Sequence, residues 1–117
     1  MSILFIINDA PYGSEKAYNA MRLANQVKKD SPESEVRIFL MADAVFCAIP
    51  NQKTPDGYYN IERFIKGLSS RGCQIKLCGT CLDARGLTEI KFIDGAVRSN
   101  LAELSAWVIE SEKVLTF

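Results

Sequence analysis

Ile3-Leu4-Phe5-Ile6-Ile7-Asn8-Asp9-Ala10-Pro11-Tyr12-Gly13-Ser14 runs from an unbroken apolar stretch, through a turn, to a helix start. An apolar run without alternation is the pattern of a strand covered on both faces, as in a parallel sheet. The residues from Asn8 to Gly13 carry the turn formers. Ser14 reads as a helix N-cap with Glu15 in the first turn. Ala17, Ala20, Met21, Ala24 and Val27 then recur at helical spacing, which predicts an amphipathic helix over 14–30 that Ser31-Pro32 ends.

The rest of the chain repeats this order. Val36 to Met41 predicts a second strand, followed by Asp43 and a short helical piece around Ala44-Val45-Phe46-Cys47. Asn51 to Gly57 is polar and rich in turn formers, as in an exposed loop. Ile61, Phe64, Ile65 and Leu68 predict a second amphipathic helix, closed by Arg71-Gly72 in the manner of a C-terminal glycine cap. Cys73 to Leu77 predicts a third strand, alternating and so less deeply buried on one face. Beyond it, Ala96-Val97-Arg98 is a short extended piece. Asn100 caps a helix carrying Leu101, Leu104, Trp107 and Val108, and Lys113 to Phe117 predicts a final strand. Strand and helix alternate throughout, so the expected class is an α/β layered domain with a mainly parallel sheet. Sites in such sheets form beyond the carboxyl ends of the strands. Topology alone therefore brings three segments together: the loop Asn8–Ser14, the turn at Asp43 and the loop Cys78–Gly86.

The 117 residues suit one domain, 1–117, with one core. Fourteen Lys and Arg balance fourteen Asp and Glu. No basic run is available to neutralise phosphates, which argues against a nucleic-acid or anionic-membrane partner. A net charge near zero gives little protection against self-association and favours an oligomer. No apolar run has the length of a membrane span, and the start is too short and too acidic for a signal peptide. A cytoplasmic protein with reduced thiols is expected.

There is no histidine and there are four cysteines. Any chemistry is therefore expected to be sulfur chemistry, with no cofactor and no metal. Cys78 and Cys81 form a C-x-x-C pair at the end of the third strand, within Lys76-Leu77-Cys78-Gly79-Thr80-Cys81-Leu82-Asp83-Ala84-Arg85-Gly86. Thiolates attack sulfur and carbon electrophiles, and nearby cations or a helix N-terminus favour that state. Lys76 and Arg85 lie close to Cys78 in sequence, and a helical turn is expected soon after it. Three readings fit this spacing. A thioredoxin-like dithiol is one, although no tryptophan precedes the pair and no proline follows Pro55. A zinc site is another, needing Cys47 or Cys73 as further ligands. The third is a sulfur carrier, with a persulfide on Cys78 passed on by the steps of thiol–disulfide exchange. Cys47 and Cys73 also read simply as small buried hydrophobes. Among the other candidates, Asn8, Tyr12 and Ser14 offer donors near a helix start, or else form a turn and its cap. Asp43 shapes the site or caps the short helix at Ala44. Arg85 stabilises a thiolate or is a solvated charge. Trp107 reads as core or subunit interface.

The chain resembles the DsrE/DsrF-like family, most closely its small YchN-type members. The resemblance is carried by Asn8-Asp9-Ala10-Pro11-Tyr12-Gly13-Ser14-Glu15, Phe39-Leu40-Met41-Ala42-Asp43-Ala44-Val45, Asn51-Gln52-Lys53, Lys76-Leu77-Cys78, Cys81, Arg85-Gly86, Ile93-Asp94-Gly95 and Lys113-Val114-Leu115-Thr116-Phe117. It implies a three-layer α/β/α domain around a parallel five-stranded sheet, assembled as a homohexamer. It also implies sulfur relay, with protein thiols as donor and acceptor. In the relay branch one cysteine at the end of the third strand, placed before an Arg-Gly, carries the persulfide. Cys78 stands in that relation to Arg85-Gly86. Cys81 departs from the relay proteins, and a second thiol there could resolve a persulfide into a disulfide. An oligomeric scaffold without catalysis and a dithiol oxidoreductase are the alternatives.

Overall fold

In the computed structural model, which describes residues 1–117, the first apolar run forms β1 (Ser2–Ile7), and Leu4, Phe5 and Ile7 have no exposed surface. The other strands are β2 (Glu35–Leu40), β3 (Gln74–Cys78), β4 (Ala96–Ser99) and β5 (Lys113–Thr116). They form one sheet in the order β4-β3-β2-β1-β5, with every neighbouring pair parallel. Burial on both faces explains why β1 reads as continuous rather than alternating.

The helices are α1 (Lys16–Asp30), α2 (Ile61–Ser70), α3 (Gly79–Ala84) and α4 (Leu101–Glu110), with a 3₁₀ turn over Ala42–Ala48. From β1 to β4 the chain steps along the sheet in one direction, and α1, α2 and α3 pack on one face with Phe5, Ile38 and Ile75. From β4 to β5 the chain reverses and crosses to the far edge. A right-handed crossover in the opposite direction must use the opposite face, and α4 lies there. Its Leu104 and Trp107 close a small second core with Leu4, Phe39 and Cys78. The result is three layers, helix–sheet–helix, as expected.

Local signals act where they are strongest. The Asn60 side chain accepts from the Arg63 amide at the start of α2, and that of Asn100 accepts from the Glu103 amide at the start of α4. Gly72 has φ +84°, and its amide and that of Cys73 satisfy the last carbonyls of α2. At Ser14 the boundary of the helix differs from the one the sequence suggested. The helix starts two residues later, at Lys16, and Glu15 precedes it without a side-chain cap bond. The Ser14 hydroxyl donates to Asp9 Oδ2 (2.7 Å) and so tightens the turn. Its oxygen also accepts from the Lys16 amide at 3.3 Å, so Ser14 joins the turn to the first residue of α1.

Gly95 precedes β4 with φ +95°, and a Cβ there would collide with the Ser69 side chain at the end of α2. Gly95→Ala combines left-handed backbone with overlap, at a cost of about 1–3 kcal/mol. The expected result is a lower denaturant midpoint with unchanged slope. An unchanged midpoint would show that this approach is relaxed in solution.

Candidate functional site

The pair of cysteines sits where β3 ends and α3 begins. Cys78 is the N-cap of α3, with extended backbone (φ −63°, ψ 113°), and its sulfur accepts from the Cys81 amide at 3.4 Å. The Thr80 hydroxyl lies 3.3 Å from the same sulfur. Strand alternation turns Cys78 toward α4, where it is 8% exposed beside Trp107. Cys81 follows one turn later on the helix and is half-buried between the two cores. Its sulfur accepts from the Ala42 amide at 3.2 Å. Ala42 holds φ +49°, a left-handed conformation that costs a non-glycine residue about 1 kcal/mol or more. That backbone aims its N–H at the Cys81 thiol.

The two thiols are pushed in opposite directions. Burial would raise the pKa of Cys78, but the Cys81 side chain, the Thr80 hydroxyl and the amides of Cys81 and Thr80 together outweigh it, so the net shift is downward. Burial raises the pKa of Cys81, and so does its hydrogen bond to Cys78. The Ala42 amide and the Arg85 charge oppose the rise without cancelling it. Cys78 is therefore the more acidic thiol of the pair and Cys81 the less acidic. Cys47 is deeply buried, which pushes its pKa up to about 12, and burial also raises that of Cys73. Both pack in the larger core. Histidine, cysteine, aspartate and glutamate side chains nowhere gather in threes at metal-holding distance. The zinc reading finds no ligand set.

Of the three loop segments expected to meet here, two do. Arg85 Nε donates to Asp43 Oδ1 at 2.9 Å, and its Nη1 donates to the Cys81 carbonyl at 3.1 Å. Asp43 lies inside the first turn of the 3₁₀ segment, with no side-chain cap bond at its start, and pins the Arg85 arm over Cys81. The Asn8–Ser14 loop spends its polar groups elsewhere. Tyr12 donates to Gln52 Oε1 at 2.7 Å and accepts from the Ile61 amide at 3.1 Å. Asn8 donates to the Phe117 carbonyl, and Ser14 is bound to Asp9. These three residues brace the α1–α2 side and the β1–β5 edge.

Lys76 shares a sheet face with Cys78, yet its ammonium reaches Glu103 (3.1 Å) and lies 4.5 Å from the centre of the Trp107 ring. The cation beside Cys78 is Arg98. Its guanidinium covers Gly79, where an added Cβ would come within 3.0 Å of it and 2.8 Å of the Ser99 carbonyl. Both NH groups of Arg98 bind the Asp83 carboxylate, at 2.8 and 2.7 Å. Arg98 and Thr88 hold the Asp83 carboxyl down to about 2. The sequence reading passed over Thr80, Ala42, Asp83 and Arg98. A signal for Arg98 was present: it lies in the short extended piece, and parallel pairing of that piece with β3 aligns Ser99 with Cys78.

The sequence and the fold have known counterparts. Protein YchN of Escherichia coli K12 is 40% identical over 115 residues, covering 98% of this chain and 97% of YchN. An uncharacterised protein of Methanocaldococcus jannaschii is 38% identical over 117 residues, the whole of both chains. The crystal structure of E. coli YchN superposes with a TM-score of 0.95, covering 99% of this chain and 98% of that one. A Methanobacterium thermoautotrophicum protein of unknown function, at 12% identity and TM-score 0.79, shares the fold. The model of the DsrE/DsrF-like family matches residues 1–117. With the sheet order, the helix layers and these matches in agreement, the chain belongs to the DsrE/DsrF-like family.

Proposed function

We propose that this protein is a cytoplasmic sulfur carrier. Cys78 accepts a sulfane sulfur from a protein persulfide and passes it to another protein thiol. The observation that carries the reading is the Cys78 sulfur at the end of β3, held by the Thr80 hydroxyl and the Cys81 amide and shifted toward thiolate despite burial. A thiolate attacks the outer sulfur of a donor persulfide, and the same donors hold the sulfur once it is loaded. Thr80 is exposed, so the capped sulfur adjoins the surface. Arg85 and Asp43 support Cys81, while Asn8, Tyr12 and Ser14 brace the neighbouring loop and strand edge. The single domain is 1–117. No helix is long and apolar enough to cross a membrane.

The test is to incubate reduced protein with a persulfide-loaded cysteine desulfurase and to locate the added sulfur by peptide mass spectrometry. Sulfur on Cys78 is the expected outcome. No modification of either cysteine would remove the carrier reading in favour of a binding scaffold.

Thr80→Val makes a second test. Removing the hydroxyl takes away a hydrogen bond that favours the thiolate, so the Cys78 pKa should rise. Wild-type alkylation by iodoacetamide should reach half its maximal rate at a lower pH than an ordinary exposed thiol. In Thr80→Val that midpoint should move to higher pH. Superimposable profiles would show that Thr80 does not tune the sulfur.

We further infer a homohexamer, as is usual in the family. Its support is the outer face of α4, where Leu101 is 71% and Ile109 81% exposed on a helix that buries only Leu104 and Trp107. A monomer in sedimentation equilibrium would end that inference.

A further inference from the structure

We propose that Cys81 resolves the Cys78 persulfide, forming a Cys78–Cys81 disulfide and releasing hydrosulfide, so that the loaded state is discharged inside the protein when no acceptor is present. The proposal rests on the sulfur-carrier reading above and goes on to ask how that same site unloads.

Placement comes first. Cys78 at the N-cap and Cys81 three residues on are side-chain neighbours across the first turn of α3. A disulfide joins Cα atoms about 4.4–6.8 Å apart, a span that such a turn supplies. The Cys81 sulfur is not turned away into the core. It is held at the junction of the two cores by the Ala42 amide, and it bears directly on the proton affinity of Cys78. The left-handed Ala42 backbone presents its N–H to that sulfur.

Orientation decides which sulfur is attacked. The Thr80 hydroxyl and the Cys81 amide fix the Cys78 Sγ, the inner sulfur of a persulfide, beside Cys81. The Cys81 proton passes to the terminal sulfur. The Cys81 sulfur then bonds to Cys78 Sγ, the bond from Sγ to the terminal sulfur breaks, and hydrosulfide leaves with the electron pair. The sulfane sulfur is reduced by two electrons, and the two thiol sulfurs are oxidised by one each. Hydrosulfide is a good leaving group because its conjugate acid is more acidic than an ordinary thiol. An external dithiol reductant, itself becoming a disulfide, returns the pair to its reduced form. The higher proton affinity of Cys81 keeps it from competing with Cys78 for the incoming sulfur.

The experiment loads reduced full-length protein with one equivalent of glutathione persulfide and desalts it at once. It then follows intact mass, hydrosulfide in solution and disulfide-linked peptides. Wild type is expected to gain one sulfur and then lose it. The end state is the reduced mass less two hydrogens, with one hydrosulfide per chain and a Cys78–Cys81 peptide link. Cys81→Ser, whose hydroxyl still accepts from Ala42, is expected to keep its sulfur at least about tenfold longer, because no internal thiol remains to attack it. Cys81→Ala is a second variant, and circular dichroism on both checks the fold. If wild type holds its sulfur as long as Cys81→Ser and forms no disulfide, the resolving role is wrong and the carrier reading stands. If neither protein takes up sulfur, the carrier reading itself falls, and the proposal with it.

Discussion

Cys78→Ser is expected to take up no measurable sulfur from a persulfide-loaded desulfurase, a fall of at least about a thousandfold in loading rate. A hydroxyl is not appreciably ionised near neutral pH and cannot form a persulfide, so nothing replaces the lost nucleophile. The fold should survive. Serine is slightly smaller than cysteine, and its hydroxyl meets the same Thr80 hydroxyl and Cys81 amide. The remaining cost is a polar group in a largely apolar pocket, about 1–2 kcal/mol. That lowers the melting temperature of a chain of this size by several degrees, about 4–8 °C per kcal/mol at most. Mass spectrometry reads the first effect and calorimetry the second. If Cys78→Ser loaded as fast as wild type, Cys78 would not be the acceptor. If it failed to fold, the residue would matter first as packing beside Trp107.

Phe39→Ala carries the largest expected loss of stability. Phe39 is 1% exposed, and its ring meets Trp107 edge-on at 6.2 Å between centroids. Truncating a buried phenylalanine costs about 3–5 kcal/mol through lost transfer energy and the cavity left behind. Few neighbours can fill the gap, because α4 is the sole helix over this face and contributes only Leu104 and Trp107 to the cluster. Against a total stability of about 5–15 kcal/mol this is a large share. The denaturant midpoint should fall accordingly, while Phe46→Ala, at a side chain 36% exposed, should cost much less. Equal effects of the two would mean that the α4 face is not a core. The pocket around Cys78 should also loosen in Phe39→Ala, since Cys78 belongs to the same cluster.

The layers were legible because their signals are short-range. The uninterrupted Ile3–Ile7 run, the helical spacing of Ile61, Ile65 and Leu68, the glycine at position 72 and the cap at Asn100 all act within a few residues. Cys78 at a strand end was legible for the same reason. Partners far apart in sequence were not. Lys76 is two residues from Cys78, yet Glu103 and Trp107, brought over by the β4–α4 crossover, capture it. Tyr12 turns to Gln52 and Ile61 once α2 has packed against α1. Arg98 reaches Asp83 and Gly79 only through the register of β4 on β3. Local pattern specifies an element; which charge faces which sulfur is settled by how the elements dock.

Strand β1 is made first during synthesis and completed last. Its one edge pairs with β2, but its other edge waits for β5, whose register brings Ile3 opposite Lys113 and Ile6 opposite Thr116. The Phe117 amide then bonds to the Ile6 carbonyl, and the Asn8 amide to the Phe117 carbonyl. At about 5–20 residues per second on the ribosome, the open edge of a strand that is apolar from Ile3 to Ile7 stays unpaired for seconds until β5 emerges. Closure needs a contact between the first and last strands, which is the slowest kind to form. Nascent chains arrested before β5 should therefore be the form of this protein that chaperones hold.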